Sequence, residues 1–221
     1  MAEGFEEERR RLVERLVEEG VVRSRAVAEA LMRVPREEFL PPQVREYAYS
    51  DMPLPIGYGQ TISAPHMVAM MCEYAELEEG MYVLEVGTGS GYHAAVIAEI
   101  VGPEGHVYSV ERIPELAMFA KRNLERTGYG ERVTIIIGDG SRGFEPAAPY
   151  DAIIVTAAAP SIPRPLVEQL RVGGRLVIPV GPRYEQVLYV CTRTEKGVVV
   201  EKTVPCVFVP LVGEYGWRDE Y

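Results

Sequence analysis

The sequence predicts an α/β protein: a doubly wound, mostly parallel β-sheet with an antiparallel C-terminal hairpin and an N-terminal helical appendage. Three observations predict it. Short apolar runs alternate with helical stretches from residue 80 to residue 180, and Gly or Pro punctuates the joins. The last two apolar runs instead meet across the short turn Glu195-Lys196-Gly197. Strands separated by helices call for parallel pairing with helices on the sheet faces, whereas strands joined by a tight turn pair antiparallel.

The elements follow in order. Over residues 5–19, Leu12, Val13, Leu16 and Val17 fall on one stripe among charges, giving an amphipathic helix stopped by Gly20. Ser24 is placed to cap a second helix with Val27, Ala30, Leu31 and Val34 on its apolar face. Pro35 ends that helix, because the residue before a proline is pushed out of helical geometry. Residues 41–65 hold five prolines and several tyrosines without a sustained period, so they read as an irregular segment of a length that usually signals function. Helical character returns from Ala64 to Tyr74.

Met81 to Val86 then reads as a buried strand, Tyr92 to Ile100 as a helix, and His106 to Glu111 as a second strand. Pro114 to Arg126 is a helix with Leu116, Phe119, Ala120 and Leu124 on one face, followed by a strand from Arg132 to Ile137. Asp151–Thr156 and Arg175–Val180 add strands around a short helix near Pro165 to Leu170, and Gln186–Thr192 pairs with Val198–Val204 as the hairpin. One unit over residues 1–221 is expected: 1–79 helices and irregular segment, 80–180 sheet core, 181–221 last strands and tail.

Composition removes several function classes. A net charge of −10 argues against a phosphate-backbone binder, whose affinity rests on clustered Lys and Arg, so no nucleic-acid partner is expected. Cys72, Cys191 and Cys206 form no C-x-x-C pair, so they read as buried thiols of a reduced compartment and no metal site is expected. No apolar run has the length of a membrane span, and a soluble, cytoplasmic, monomeric protein is expected.

The turn after the first sheet strand carries the chemistry. In a doubly wound sheet the ligand sits beyond the carboxyl ends of the strands, where glycine lets backbone approach it. Gly87, Thr88, Gly89, Ser90 and Gly91 fill that turn with G-x-G-x-G spacing, and Tyr92 stands where a dinucleotide fingerprint wants glycine. Glu111, at the end of the second strand, is placed to accept both hydroxyls of a ribose. Glu85 would add negative charge at the mouth of the loop, which suits an ammonium and a sulfonium better than phosphates. The third strand ends in Gly138-Asp139-Gly140-Ser141, where a short acceptor could read an adenine amino group. Each feature alone would more often be an ordinary turn or a solvated carboxylate; in order on three consecutive strand ends they describe one nucleoside ligand.

The segment Leu84-Glu85-Val86-Gly87-Thr88-Gly89-Ser90-Gly91 resembles motif I of the class I methyltransferases. The stretch Gly57-Tyr58-Gly59-Gln60-Thr61-Ile62-Ser63-Ala64-Pro65 is similar to the signature of the protein-L-isoaspartate O-methyltransferases. Val34-Pro35-Arg36-Glu37-Glu38-Phe39, Tyr150-Asp151-Ala152-Ile153, Leu170 to Leu176 and Phe208-Val209-Pro210-Leu211 fit the same family, so that only the extreme termini, including 217–221, carry no match. The resemblance implies a Rossmann-like fold, S-adenosyl-L-methionine as cofactor and S-adenosyl-L-homocysteine as its product. It also implies methyl transfer to the free carboxylate of L-isoaspartyl residues in damaged proteins and peptides, with repair proceeding through a succinimide.

On that resemblance Ser63 is the catalytic candidate that orients the substrate carboxylate, with Thr61 and Ile62 completing the substrate pocket. Glu85, Gly87, Thr88, Gly89, Ser90, Glu111, Asp139 and Gly140 are the cofactor candidates, and His66 has a secondary cofactor role. Without the resemblance, Ser63 would read as the N-cap of the following helix, and His66 as a structural or exposed histidine. His93 and His106 receive no function; Met67, Met70 and Met71 read as core, and Tyr47 and Tyr49 as packing aromatics. Two other readings remain at this point: a class I methyltransferase with a small-molecule or nucleic-acid acceptor, and a nonenzymatic cofactor-binding protein. A nicotinamide oxidoreductase ranks last because of the loop spacing.

Overall fold

The computed structural model describes residues 2–218. The expected unit's outermost residues, 1 and 219–221, lie outside the described residues. Helices α1 (Ala2–Glu18) and α2 (Arg25–Arg33) open the chain. Ser24 caps α2 by accepting a hydrogen bond from the Val27 amide, and the helix gives way to extended backbone at Val34, ahead of Pro35. In α1 the buried stripe is Leu12, Val13 and Leu16; Val17 is 47% exposed, because the contact with α2 covers a narrower arc than the apolar run.

The segment from Pro41 to Pro65 is more ordered than its sequence suggests. After short 3-10 turns at Arg36–Phe39 and Pro42–Tyr47, it forms a two-stranded hairpin, β1 (Leu54–Gly57) with β2 (Gln60–Ile62). Strands of four and three residues are too short to show a period, so the sequence hid them. The turn between them places Tyr58, a residue with a side chain, at φ +53°, in the left-handed region that usually favours glycine. Helix α3 (Pro65–Ala75) follows, with Ala64 rather than Ser63 at its N-cap and no side-chain cap. Ser63 therefore does not fill the capping role that its position alone would suggest.

Seven strands form the main sheet: β3 (Tyr82–Val86), β4 (His106–Glu111), β5 (Val133–Ile137), β6 (Tyr150–Val155), β7 (Leu170–Val180), β8 (Gln186–Thr194) and β9 (Gly197–Cys206). Their spatial order is β5-β4-β3-β6-β7-β8-β9, parallel through β7 and antiparallel across β7-β8 and β8-β9. Helices α4 (Tyr92–Val101) and α5 (Pro114–Thr127) connect β3 to β4 and β4 to β5; α6 (Arg164–Glu168) lies between β6 and β7. Strand β7 begins five residues earlier than the apolar run Arg175–Val180, because the polar stretch around Gly173 and Gly174 continues the ladder through an irregularity opposite Tyr150 and Ala152.

Each sheet face has its own core, and the strand parity assigns residues to them. Val83, Val107, Ala152, Ile154 and Val177 pack with residues of α1 to α5 on one face. Leu84, Val86, Val110, Ile153, Val155 and Ile178 pack with Leu166 of α6 and Leu211 of the tail on the other. The first cluster runs without a break from Leu12 of α1 to Leu188 of β8, so the N-terminal helices share the core of the sheet. The chain turns toward β4 from one side of β3 and toward β6 from the other, which makes the carboxyl ends of β3 and β6 the switch point where a ligand crevice forms.

Candidate functional site

A cleft of about 560 Å³, measured to its open mouth, occupies that switch point. Strand ends form its floor: Val86, Gly87 and Gly89 at the end of β3, Val110 to Ile113 at the end of β4, Gly140 after β5, and Thr156 and Ala157 after β6. The hairpin contributes Gln60 and Thr61 to one wall, and the tail contributes Val209 to Val212.

The glycine loop is shaped by steric necessity. Gly87 has φ +98°, and a Cβ there would lie 2.4 Å from Thr156 Oγ1. The Thr156 hydroxyl donates to the Gly87 carbonyl at 2.7 Å, so the residue just after β6 locks the first turn of the loop. Sequence reasoning missed Thr156; its signal was a small hydroxyl residue closing the apolar run Ala152 to Val155. A Cβ on Gly140 would meet Val86 Cγ1 at 2.4 Å, so the β5 end must also be bare where it crosses β3.

Glu111 is 6% exposed and borders the cleft. Its Oε2 accepts the Gly89 amide at 2.9 Å and its Oε1 accepts the Ile113 amide at 3.0 Å. A carboxylate has about four lone-pair sites, so two backbone bonds fix its orientation and leave capacity for ligand hydroxyls. Ile113 adds an apolar surface beside it.

Glu85 lies elsewhere than the mouth of the loop. It is fully buried beneath it, on the face packed by α4, where Ser109 donates to its Oε2 at 2.5 Å and Oε1 has no hydrogen-bond partner among the described residues. Desolvation raises its carboxyl to about 8. His93 Nδ1 stands 3.9 Å from Oε1, and burial lowers this histidine to about 3, so it is neutral and the two form no ion pair. Strand parity, had it been read as Val83/Glu85 against Leu84/Val86, would have placed Glu85 under the sheet.

The other candidates divide between the cleft and its supports. Thr88 and Ser90 are buried: the Thr88 hydroxyl contacts Ser109 Oγ at 2.6 Å, and the Ser90 carbonyl accepts from Asn123 at 3.0 Å. Asp139 faces the tail. Its Oδ1 accepts from the amide and hydroxyl of Ser141 at 2.9 and 2.6 Å, and its Oδ2 accepts from the Glu214 amide at 2.8 Å. Gly213 passes so close that a Cβ there would sit 2.0 Å from Asp139 Oδ1. Asp139 thus anchors the wall formed by Val209 to Val212, a tail whose site role the sequence did not assign. Thr61 is exposed and lines the cleft, Ile62 turns into the core, and half-buried Ser63 follows just outside the lining. His66 is turned to Asp51, which accepts both its amide and its Nδ1–H at 2.9 Å. That bond raises His66 above the usual histidine range.

A glycine-floored crevice at a doubly wound switch point, with an acidic residue at the end of the second strand, defines the class: a Rossmann-like fold with a nucleoside site. The comparisons narrow it. A family model described as protein-L-isoaspartate(D-aspartate) O-methyltransferase matches residues 7–216, and the chain belongs to that family. A protein-L-isoaspartate O-methyltransferase of Hyperthermus butylicus is 65% identical over 98% of this chain and 93% of its own length. The Staphylothermus marinus protein of that name is 61% identical over 99% and 100%. A solved protein-L-isoaspartate O-methyltransferase superposes with a TM-score of 0.85 at 35% identity, over 94% of this chain and 67% of that one. A Plasmodium falciparum structure described as a beta-aspartate methyltransferase, in complex with S-adenosyl-L-homocysteine, gives 0.82 at 29% identity over 92% and 97%. Among the described residues no helix is long and apolar enough to cross a membrane, and no group of His, Cys, Asp and Glu is arranged to hold a metal ion.

Proposed function

We propose that the cleft binds S-adenosyl-L-methionine and methylates the free α-carboxylate of L-isoaspartyl residues in proteins and peptides. The observation that carries the cofactor reading is the bare floor of Gly87, Gly89 and Gly140 beside an oriented, acceptor-only Glu111. The cofactor supplies a methyl group already activated on a sulfonium. Gly87 and Gly89 let the chain lie against it, Glu111 accepts ribose hydroxyls, and Ile113, Val110 and Leu211 give apolar surface to its base and chain.

On the acceptor side the chemistry needs little. An α-carboxyl with a pKa of about 3.5 is ionised at neutral pH, so its oxygen attacks without a general base. The protein's work is alignment and exclusion of water. Ser63 would donate one hydrogen bond to the carboxylate oxygen that does not attack, with Thr61 and Ile62 shaping the approach. Support for this side comes from the hairpin, which carries Thr61 into the cleft and leaves Ser63 half-buried without a capping bond. The tail wall at Val209 to Val212 closes the other side. The chain acts as one unit, supported by the core shared from α1 to β8.

Two peptides that differ only in L-isoaspartate against L-aspartate test the acceptor. Labelled methyl should enter the isoaspartyl peptide alone, and equal labelling of both, or of neither, would overturn the assignment.

A further inference from the structure

Two polar side chains lie under the glycine loop where strand parity calls for apolar ones, and a third, in the loop, joins them. Glu85 on β3 follows Val83 on the face packed by α4, and Ser109 on β4 follows Val107 on the same face. The ladder pairs Glu85 directly with Ser109, and both are 0% exposed. Thr88, in the loop between Gly87 and Gly89, is 3% exposed.

Burying such groups is costly unless their hydrogen-bonding capacity is met. Here they are joined in series. Ser109 Oγ lies 2.5 Å from Glu85 Oε2 and 2.6 Å from the Thr88 hydroxyl, so one hydroxyl bridges the loop and the buried carboxyl.

We propose that Ser109 is a positioning residue for the cofactor loop, relaying the loop's Thr88 to the Glu85 carboxyl so that the loop keeps its binding shape before ligand arrives. The loop has a second tie, the Gly89 amide to Glu111, but Glu111 is itself a lining residue that a ligand engages. Thr88, Ser109 and Glu85 do not line the cleft, so their tie persists whether or not ligand is bound. Ser109 therefore acts through Thr88, and its effect should appear in affinity, not in the transfer step. The inference rests on the assignment of the cleft to S-adenosylmethionine.

The test uses Ser109→Ala, Thr88→Val and the double variant, with S-adenosyl-L-homocysteine titrated calorimetrically and amide exchange of residues 87–91 followed in the ligand-free protein. Each single variant should bind about 10-fold more weakly, and the double no more than about twofold worse than either, since both remove one link. Exchange across 87–91 should quicken in each, while turnover at saturating cofactor stays within about twofold of wild type. Ser109→Thr, which keeps the hydroxyl, should recover most of the affinity. Unchanged affinity and exchange in Ser109→Ala, or losses that multiply in the double variant, would overturn the role. Should Ser109→Ala fail to fold, Thr88→Val leaves the Ser109–Glu85 bond intact and decides alone: wild-type affinity there overturns the relay. Wild-type protein that does not bind S-adenosyl-L-homocysteine would instead sink the cofactor assignment beneath it.

Discussion

The floor and the walls of the cleft are built on different principles. The floor, at the ends of β3, β4 and β6, is rigid: glycines in sub-van-der-Waals niches, a carboxylate clamped by two amides, and a buried relay under the loop. The walls are segments without long elements, a hairpin of four- and three-residue strands and the tail beyond β9, tied down by Asp139 and by Trp217 Nε1 donating to the Ala158 carbonyl at 3.1 Å. The floor suits a cofactor of invariant shape. Under the proposed function, the walls would take an acceptor presented by many different polypeptides, which must be admitted and released.

If that contrast holds, damage to the floor should abolish cofactor binding and damage to the walls should spare it. The largest effect is expected for Gly87→Ala. Its Cβ would sit 2.4 Å from Thr156 Oγ1 at φ +98°, and strain plus overpacking of roughly 2–5 kcal/mol should cut S-adenosyl-L-homocysteine affinity about 30-fold or more by calorimetry and lower the melting temperature. Retained affinity would show that the floor is softer than described. Ser63→Ala should lower turnover on an isoaspartyl peptide about 10- to 100-fold, roughly the 1.5–3 kcal/mol of a charged hydrogen bond, with cofactor affinity unchanged. An unaltered rate removes Ser63 from the acceptor wall.

Gly213→Ala places a Cβ 2.0 Å from Asp139 Oδ1 and should loosen the tail, raising the peptide KM about 10-fold while the affinity for S-adenosyl-L-homocysteine changes less. Equal losses in both would mean that the tail serves the floor as well.

Two smaller effects concern pH. Burial raises Glu85 from 4.5 to about 8, so the folded state binds a proton that the unfolded state has released. This group's contribution is fully present below pH 4.5 and is lost as pH rises toward 8. The neutral isostere Glu85→Gln should therefore shift the melting temperature upward more at pH 8.5 than at pH 5, even as it weakens the floor; a pH-independent difference would count against the shift. His66 is raised by the Asp51 hydrogen bond, and Asp51 is lowered in spite of burial by bonds from His66. The histidine's share of stability is present below about pH 6.5 and fades as pH rises through its higher folded value. Asp51's share is present above its unfolded value and is lost in acid. A proton NMR titration of His66 should give a midpoint above 6.5 that falls in Asp51→Asn, and a midpoint unmoved by that substitution breaks the pair.

Much of the fold was legible because periodicity and punctuation are local. The strands His106–Glu111 and Gln186 onward, the helix from Tyr92, and the Ser24 cap all follow from patterns within a few residues. The hairpin was not, since Leu54–Gly57 and Gln60–Ile62 are each shorter than the window in which alternation can be recognised. Val17 continues its stripe in sequence yet is exposed, because the width of a buried face is set by the neighbour that covers it.

The same division applies to the site. Residue types and their spacing carry the chemical inventory: a glycine turn between Val86 and Tyr92, a carboxylate at Glu111, a hydroxyl at Ser63, and the motifs that mark the family. What each group faces is set by the folded chain. Glu85 lies under the loop and Asp139 holds the tail, although both sit at the strand ends where a ligand-binding carboxylate is expected. Thr156 enters from a strand 70 residues beyond Val86 to close on the Gly87 carbonyl. The reason is physical: residue type and spacing fix what a side chain can donate or accept, whereas its partner is chosen by which strand ends the sheet topology brings together.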